Sequence, residues 1–408
     1  MKIAYFVDRF PLVSETFILG QLVGMLERGH DVRIFANWRA ATDVVHPVVL
    51  KYGLLERTTF VTRIPRHFIS RIIPAVRVLL GALAHGHLKQ AARALNVARF
   101  GRSAMSLRLL LRAAPHFRDS QFDIIHCQFG HLGVGLPVLI RCGALQGVLV
   151  TSFRGTDAMK FATRDPARFA DLFESGNRFL CVSSAVKERL ISLGCAESKI
   201  DILRSGIDLN KFVYREQKDL NDPVQILSVG RLAPNKGIEF AIRAIRLVVD
   251  AGCRVQYGLL GDGPSRISLQ KLVNELGLTD VVTFAGAVNA DCVAETLQQS
   301  DILVVPSITG PSGEQEGLPN SPKEAMACGV LVIATQIGGI PELINDGVNG
   351  YLVEERDAEA IANRLLSAMG HWPEQQGLLA EARQTIEEEF EIDHLNDQLE
   401  QTYRSVMG

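Results

Sequence analysis

Residues 301–329, DILVVPSITGPSGEQEGLPNSPKEAMACG, decide the reading of this chain. Asp301 to Val305 reads as a buried strand that Pro306 stops, and a polar loop rich in glycine and proline follows. Ser321-Pro322-Lys323-Glu324 then carries three helix-start signals: a capping serine, proline at the first helical position and glutamate three residues after the cap. The helix ends at Gly329, and Val330 to Thr335 is the next strand. Strand, loop and helix in this order build a parallel sheet, which places its chemistry in the loops at the carboxyl ends of its strands. Two readings of the acids stay open. Glu316 and Glu324 can both point into one cleft beside helix amides that attract phosphate, or Glu324 completes a capping box and Glu316 is a solvated loop acid.

At these residues the sequence resembles the family 4 glycosyltransferases of the GT-B fold. Those retaining enzymes share two glutamates eight apart followed by Ala-Met-Ala-Cys-Gly or a close variant, and Glu316, Gly317, Glu324, Ala325, Met326, Ala327, Cys328 and Gly329 match it. The resemblance implies an α/β protein of two Rossmann-like domains facing across a cleft, with a nucleotide-sugar in the second and an acceptor near the first. It also implies that Glu316 contacts the transferring sugar, that the segment Gly317, Leu318, Pro319 and Asn320 binds the donor, and that Glu324 binds ribose hydroxyls.

Outward from this stretch, the second half restarts a strand at Val224 to Gly230, followed by the loop Arg231 to Lys236 and a helix Gly237 to Asp250. GRLAPNKG resembles the family motif whose arginine and lysine, here Arg231 and Lys236, grip the donor diphosphate. Two cations converging at a helix N-terminus agree with that role. Gly286-Ala287-Val288 fits the family's segment against the nucleotide base, which places Val288 there. Gly261-Asp262-Gly263-Pro264 lacks the third glycine of a dinucleotide fingerprint. Gly338-Gly339-Ile340-Pro341-Glu342 begins a helix.

The first half opens with a strand, Lys2 to Val7, a loop, a helix from Glu15 to Arg28 and a second strand, Val32 to Ala36. Its FPLVSETFI segment is similar to the start of family members that act on bacterial exopolysaccharides. Ser14 stands where many other members carry glycine; it can cap the helix or offer its hydroxyl to a phosphate. The strand Asp123 to Cys127 contains His126, which matches the first histidine of the family's His-x-His-Phe, while Gln128 fills the second histidine slot. His126 is either an acceptor contact or a hydrogen-bonded core histidine. Arg154-Gly155-Thr156-Asp157 follows the strand Val148 to Phe153 and has arginine where relatives carry histidine. Arg154 can fork onto an anionic acceptor or leaving group, or pair with Asp157.

Length and composition set the frame. A chain of 408 residues suits two domains: we expect an acceptor-side domain over 1–208, a polar linker over 209–223 and a nucleotide-sugar domain over 224–389. Residues 390–408 then cross back to the first domain. Seven cysteines without a CxxC pair argue against a disulfide framework and for a reducing, cytoplasmic compartment. Met1 enters a strand pattern directly, so no signal peptide is expected. No Asp-x-Asp stands at a strand end, so metal-independent chemistry is expected, with Arg231 and Lys236 meeting the diphosphate charge.

Net charge of -2 hides an asymmetry, because residues 1–205 hold 28 Lys and Arg against 15 Asp and Glu. Residues 57–118 hold twelve Lys and Arg, no acid and interleaved apolar clusters, the pattern of amphipathic helices on an anionic membrane. Nucleic acid is disfavoured because that segment lacks Tyr and Trp, and no apolar run is long and uncharged enough to span a bilayer. The expected enzyme is a cytoplasmic, peripheral hexosyltransferase acting on a glycan linked to polyprenyl diphosphate. The alternatives are a sugar-nucleotide epimerase of the same fold and a non-catalytic sugar-nucleotide-binding assembly protein.

Overall fold

The computed structural model describes the whole chain except residues 13–14, 41–45, 62, 156, 159–164, 217–218, 311–312 and 314. Ser14 therefore lies outside the described residues.

Two parallel sheets organise the chain. The first contains β1 (Lys2–Phe10), β2 (Asp31–Arg39), β3 (Thr58–Phe60), β4 (Gln121–Cys127), β5 (Gln146–Phe153), β6 (Arg178–Cys181) and β7 (Ile200–Ile202), in the order β3-β2-β1-β4-β5-β6-β7. The second contains β8 (Val224–Val229), β9 (Val255–Leu260), β10 (Val282–Gly286), β11 (Ile302–Val305), β12 (Leu331–Thr335) and β13 (Tyr351–Val353), in the order β10-β9-β8-β11-β12-β13. Each is covered by helices on both faces, so its central strands are apolar throughout; every residue of β11 and β12 is buried. In each sheet the winding direction reverses once, between β1 and β4 and between β8 and β11, and such a switch point opens a crevice at the carboxyl ends of the strands.

The two sheets are joined by a double crossing. After β7 the chain passes Ile207, whose N–H donates to the Phe390 carbonyl at 2.7 Å, while the Ile392 N–H returns to the Ile207 carbonyl at 3.1 Å. The last helix, Ile392–Met407, then lies on the first helix, Thr16–Glu27. Its acidic face meets Arg28, which lies 2.5 Å from Asp397, and its Tyr403 hydroxyl lies 3.0 Å from the Tyr5 hydroxyl inside the first core.

Of two expected glycine-led helix starts, one forms and one is corrected. The helix expected over Gly237 to Asp250 forms as Ile238–Asp250 with Gly237 as its cap at φ 59°, and a Cβ there would stand 2.0 Å from the Pro306 carbonyl oxygen. Gly338 to Glu342, expected to begin a helix, forms only a 3₁₀ turn, Ile340–Glu342. The Glu342 oxygens accept from the N–H groups of Ser184 and Ala185 at 2.9 and 3.2 Å, so a residue of the second sheet's half caps a helix, Ser184–Ser192, of the first.

The basic stretch folds as Ile69–Ala84, Leu88–Ala94, Val97–Met105 and Arg108–Ala113. The first of these leaves Ile69, Ile73, Leu80 and Leu83 61–79% exposed. Among the described residues no helix is long and apolar enough to cross a membrane.

Candidate active site

Between the two sheets lies a cavity of about 690 Å³. The first half contributes Glu15, Phe17, Phe129 and Arg154, and the second contributes Arg231, Lys236, Val288 and Glu316. Leu318, Pro319, Asn320 and Glu324 complete its floor. Its walls include the loops after β1 and β4 and after β8 and β11, the strands that flank the two switch points, together with those after β5, β9 and β10.

The loop after β11 sets the anion end. The helix here is Asn320–Cys328, capped by Pro319 at φ −66° and ψ 151° with no side-chain hydrogen bond. Ser321 is therefore not the cap, and Glu324 does not complete a capping box. Proline fixes the extended residue before the helix and starts it one residue early, which leaves the first-turn amides without a side-chain partner and gives the cavity a helix N-terminus. The Glu316 loop is held from behind, since the Gly339 N–H donates to the Glu316 carbonyl at 3.2 Å. Gly338, at φ 54°, sits so close that a Cβ would approach the same oxygen to 2.0 Å. Gly317 packs against the Arg154 loop of the opposite half, 2.5 Å separating the Arg154 carbonyl oxygen from an ideal Cβ at Gly317.

Lys236 Nζ stands 2.8 Å from Glu316 Oε1, and Asn235 Nδ2 donates to the same oxygen at 3.3 Å. Arg231 lines the cavity exposed, with no ion pair among the described residues. Glu324 is half-buried, and burial pushes its carboxyl up to about 7 against the pull of Lys323 and Lys211. Lys323 is buried, donates to the Ser205 carbonyl at 2.7 Å and is pushed down to about 7, chiefly by burial.

On the first domain's side a cation is held by two side-chain amides and a hydroxyl. Arg154 donates to Gln128 Oε1 at 2.6 Å, Ser205 Oγ at 3.2 Å and Gln21 Oε1 at 3.3 Å. It also stacks 4.2 Å above the Phe17 ring. Burial lowers it to about 10, so it stays charged. The side chain of Asp157 does not pair with the Arg154 guanidinium. It accepts the backbone N–H groups of Arg154 and Gly130, each at 2.8 Å, and shapes the loop from within. His126 is fully buried between Tyr403 at 2.6 Å and Ser152 at 2.8 Å. It lines no part of the cavity and serves the core.

Sequence reasoning missed Glu15 and Asn235. Glu15 lines the cavity, and burial raises it to about 7, the Arg154 charge opposing. The signal was available one residue after Ser14, in an acid preceding a helix that begins at Thr16.

Comparison with known proteins decides the family. Residues 14–211 match the model "Glycosyltransferase Family 4" and residues 210–385 match "Glycosyl transferases group 1". The chain is 33% identical over 404 residues to the putative colanic acid biosynthesis glycosyltransferase WcaL of Salmonella typhimurium, covering 98% of each chain. It belongs to the family 4 glycosyltransferases.

The amylovoran biosynthesis glycosyltransferase AmsK of Erwinia amylovora is 30% identical over 394 residues, 96% of each chain. Among solved structures, Anabaena HepE in complex with UDP-glucose superposes with a TM-score of 0.72 at 19% identity, over 99% of this chain and 100% of that one. The fold of this glycosyltransferase is thus GT-B, and its cavity is the cleft between the two Rossmann-like domains.

Proposed function

We propose that this glycosyltransferase moves a hexose from a UDP-sugar to a hydroxyl of a lipid-linked glycan, with retention at the anomeric carbon, in exopolysaccharide synthesis. One observation carries the reading: Arg231, Lys236 and an uncapped helix N-terminus converge with Glu316 in one interdomain cavity. That set suits a diphosphate joined to a sugar. The names of WcaL and AmsK support the pathway, and the UDP-glucose bound to HepE supports the donor.

In this mechanism Arg231, Lys236 and the backbone N–H groups of Gly317, Leu318 and Asn320 bind the diphosphate without a metal. Val288 flanks the base, Glu324 accepts the ribose hydroxyls and Glu316 holds the transferring sugar. The bond from the anomeric carbon to the β-phosphate oxygen breaks while the acceptor oxygen bonds to the same face. The acceptor proton passes to the departing phosphate, and UDP leaves. Arg154 faces the acceptor. An epimerase would turn over donor without acceptor, and a non-catalytic binder would bind donor without transfer.

The exposed apolar residues of Ile69–Ala84 and the acid-free charge of residues 57–118 support peripheral seating on an anionic membrane at the cytoplasmic face. All seven cysteines are free, in keeping with that compartment.

A thermal-shift panel of UDP-, GDP-, ADP- and CMP-sugars tests the donor, because a ligand that binds only the folded state raises its stability. The expected result is a shift with UDP-sugars that Arg231→Ala or Lys236→Ala removes. No shift with any of them in folded protein would overturn the reading.

A further inference from the structure

A second cavity, of about 570 Å³, opens at the outer end of the first sheet. It is lined by Trp38 near the end of β2, by Arg63 and Arg66 just beyond β3, and by Arg108 and Arg112 from the helix Arg108–Ala113. None of these four arginines forms a side-chain ion pair or hydrogen bond among the described residues, and residues 57–118 contain no acid. Arg63 instead lies 5.8 Å from the centre of the Trp38 ring. A fifth arginine, Arg71, is buried and fixes the cavity wall by donating to the carbonyls of Pro65, Arg66 and Ser106. Like charges gathered in this way repel one another, and an anion with several oxygens relieves that repulsion while accepting from more than one fork.

Two neighbours narrow the anion further. Helix Ile69–Ala84 begins three residues beyond Arg66 and presents the exposed apolar side chains Ile69, Ile72, Ile73, Val76, Leu80 and Leu83. The cavity therefore adjoins a surface complementary to hydrocarbon. It also sits at the same carboxyl edge as the donor cleft: β2 neighbours β1, whose following residues Glu15 and Phe17 line that cleft. At about 4.8 Å per strand spacing, the β3 end is roughly 10 Å from the β1 end.

We infer that this cavity holds the phosphate or diphosphate head of the lipid-linked acceptor, with its hydrocarbon along Ile69–Ala84 and its sugar reaching Glu15 and Arg154. The inference rests on the transferase reading and names the acceptor's anchoring site. A free anion or a bulk phospholipid headgroup shares the phosphate chemistry, and the test separates them.

Trp38 is one of two tryptophans, and Trp372 is buried, so intrinsic fluorescence reports on the cavity. Full-length protein is titrated with farnesyl diphosphate, inorganic diphosphate, farnesol and phosphatidylglycerol vesicles. Saturable quenching by farnesyl diphosphate is expected, weakened at least about tenfold in Arg63→Gln/Arg108→Gln and separately in Arg66→Gln, and absent in Trp38→Phe. Farnesol and inorganic diphosphate are expected to bind at least about tenfold more weakly. Undiminished farnesyl diphosphate binding in both arginine variants would overturn the inference. So would inorganic diphosphate binding as tightly, which marks a free-anion site, or vesicles giving the same quench with the same arginine dependence, which marks a general headgroup surface. UDP-induced thermal stabilisation, measured on every variant, confirms folding and reads the donor site separately, so a failed donor reading and a failed acceptor pocket give different results.

Discussion

Lys236 and Glu316 hold each other at 2.8 Å in the wall of the interdomain cavity. The lysine comes from the loop after β8 and the glutamate from the loop after β11, the two strands that flank the second domain's switch point. In the proposed function a diphosphate entering here competes with Glu316 for the ammonium, which links donor binding to release of the glutamate towards the sugar. Replacing Lys236 by alanine is expected to weaken UDP binding about tenfold to a hundredfold, the loss of a charge-assisted contact worth roughly 1.5–3 kcal/mol. Isothermal titration with UDP measures it; unchanged affinity would remove Lys236 from the diphosphate site.

Glu342 links the domains by capping Ser184 and Ala185. Glu342→Ala should cost about 1 kcal/mol, the usual value of a lost cap, and should speed amide exchange at residues 184 and 185 first. Hydrogen exchange by mass spectrometry reads this directly. Protection that stayed the same there would show that the carboxylate does not hold the helix end.

His126 makes stability depend on pH. Burial, aided by the Arg154 charge, lowers it to about 3, so the folded protein binds fewer protons than the unfolded chain between that value and 6.5. Its contribution is therefore complete above 6.5 and is lost as pH falls. Between pH 7 and pH 5 the loss is about 2 kcal/mol. Urea unfolding of the wild type and of His126→Gln at both pH values should show the wild type losing more stability by about that amount; equal losses would contradict the burial account.

Gly237 carries a left-handed turn against Pro306. Gly237→Ala should destabilise by at least about 2 kcal/mol through backbone strain and the close carbonyl contact, seen as a lower Tm by calorimetry. A Tm within one degree of the wild type would show that the loop can move aside.

Much of this was legible in the chain itself. The strand-loop-helix alternation and the spacing of Arg231, Lys236, Glu316 and Glu324 are local patterns, and local patterns survive in sequence. Contacts between distant segments do not. Arg154 owes its environment to Gln21, Gln128 and Ser205, three separate elements, so neither its amide cradle nor the core position of His126 under Tyr403 follows from neighbours in the chain. The helix start failed as a reading because Ser321 and Pro319 both favour a start there, and the backbone of Pro319 won. Glu342 reads as an ordinary first-turn acid until the other domain supplies its partners.

In the proposed mechanism Glu316 acts on the transferring sugar and not on the nucleotide. The most direct measurement is UDP affinity and sugar-transfer turnover, side by side, for the wild type and Glu316→Gln. UDP affinity is expected to be unchanged or tighter, because Lys236 is released from its partner, and turnover to fall roughly a hundredfold or more, the scale of losing one group placed at developing charge. Full turnover in Glu316→Gln with intact UDP binding would contradict it.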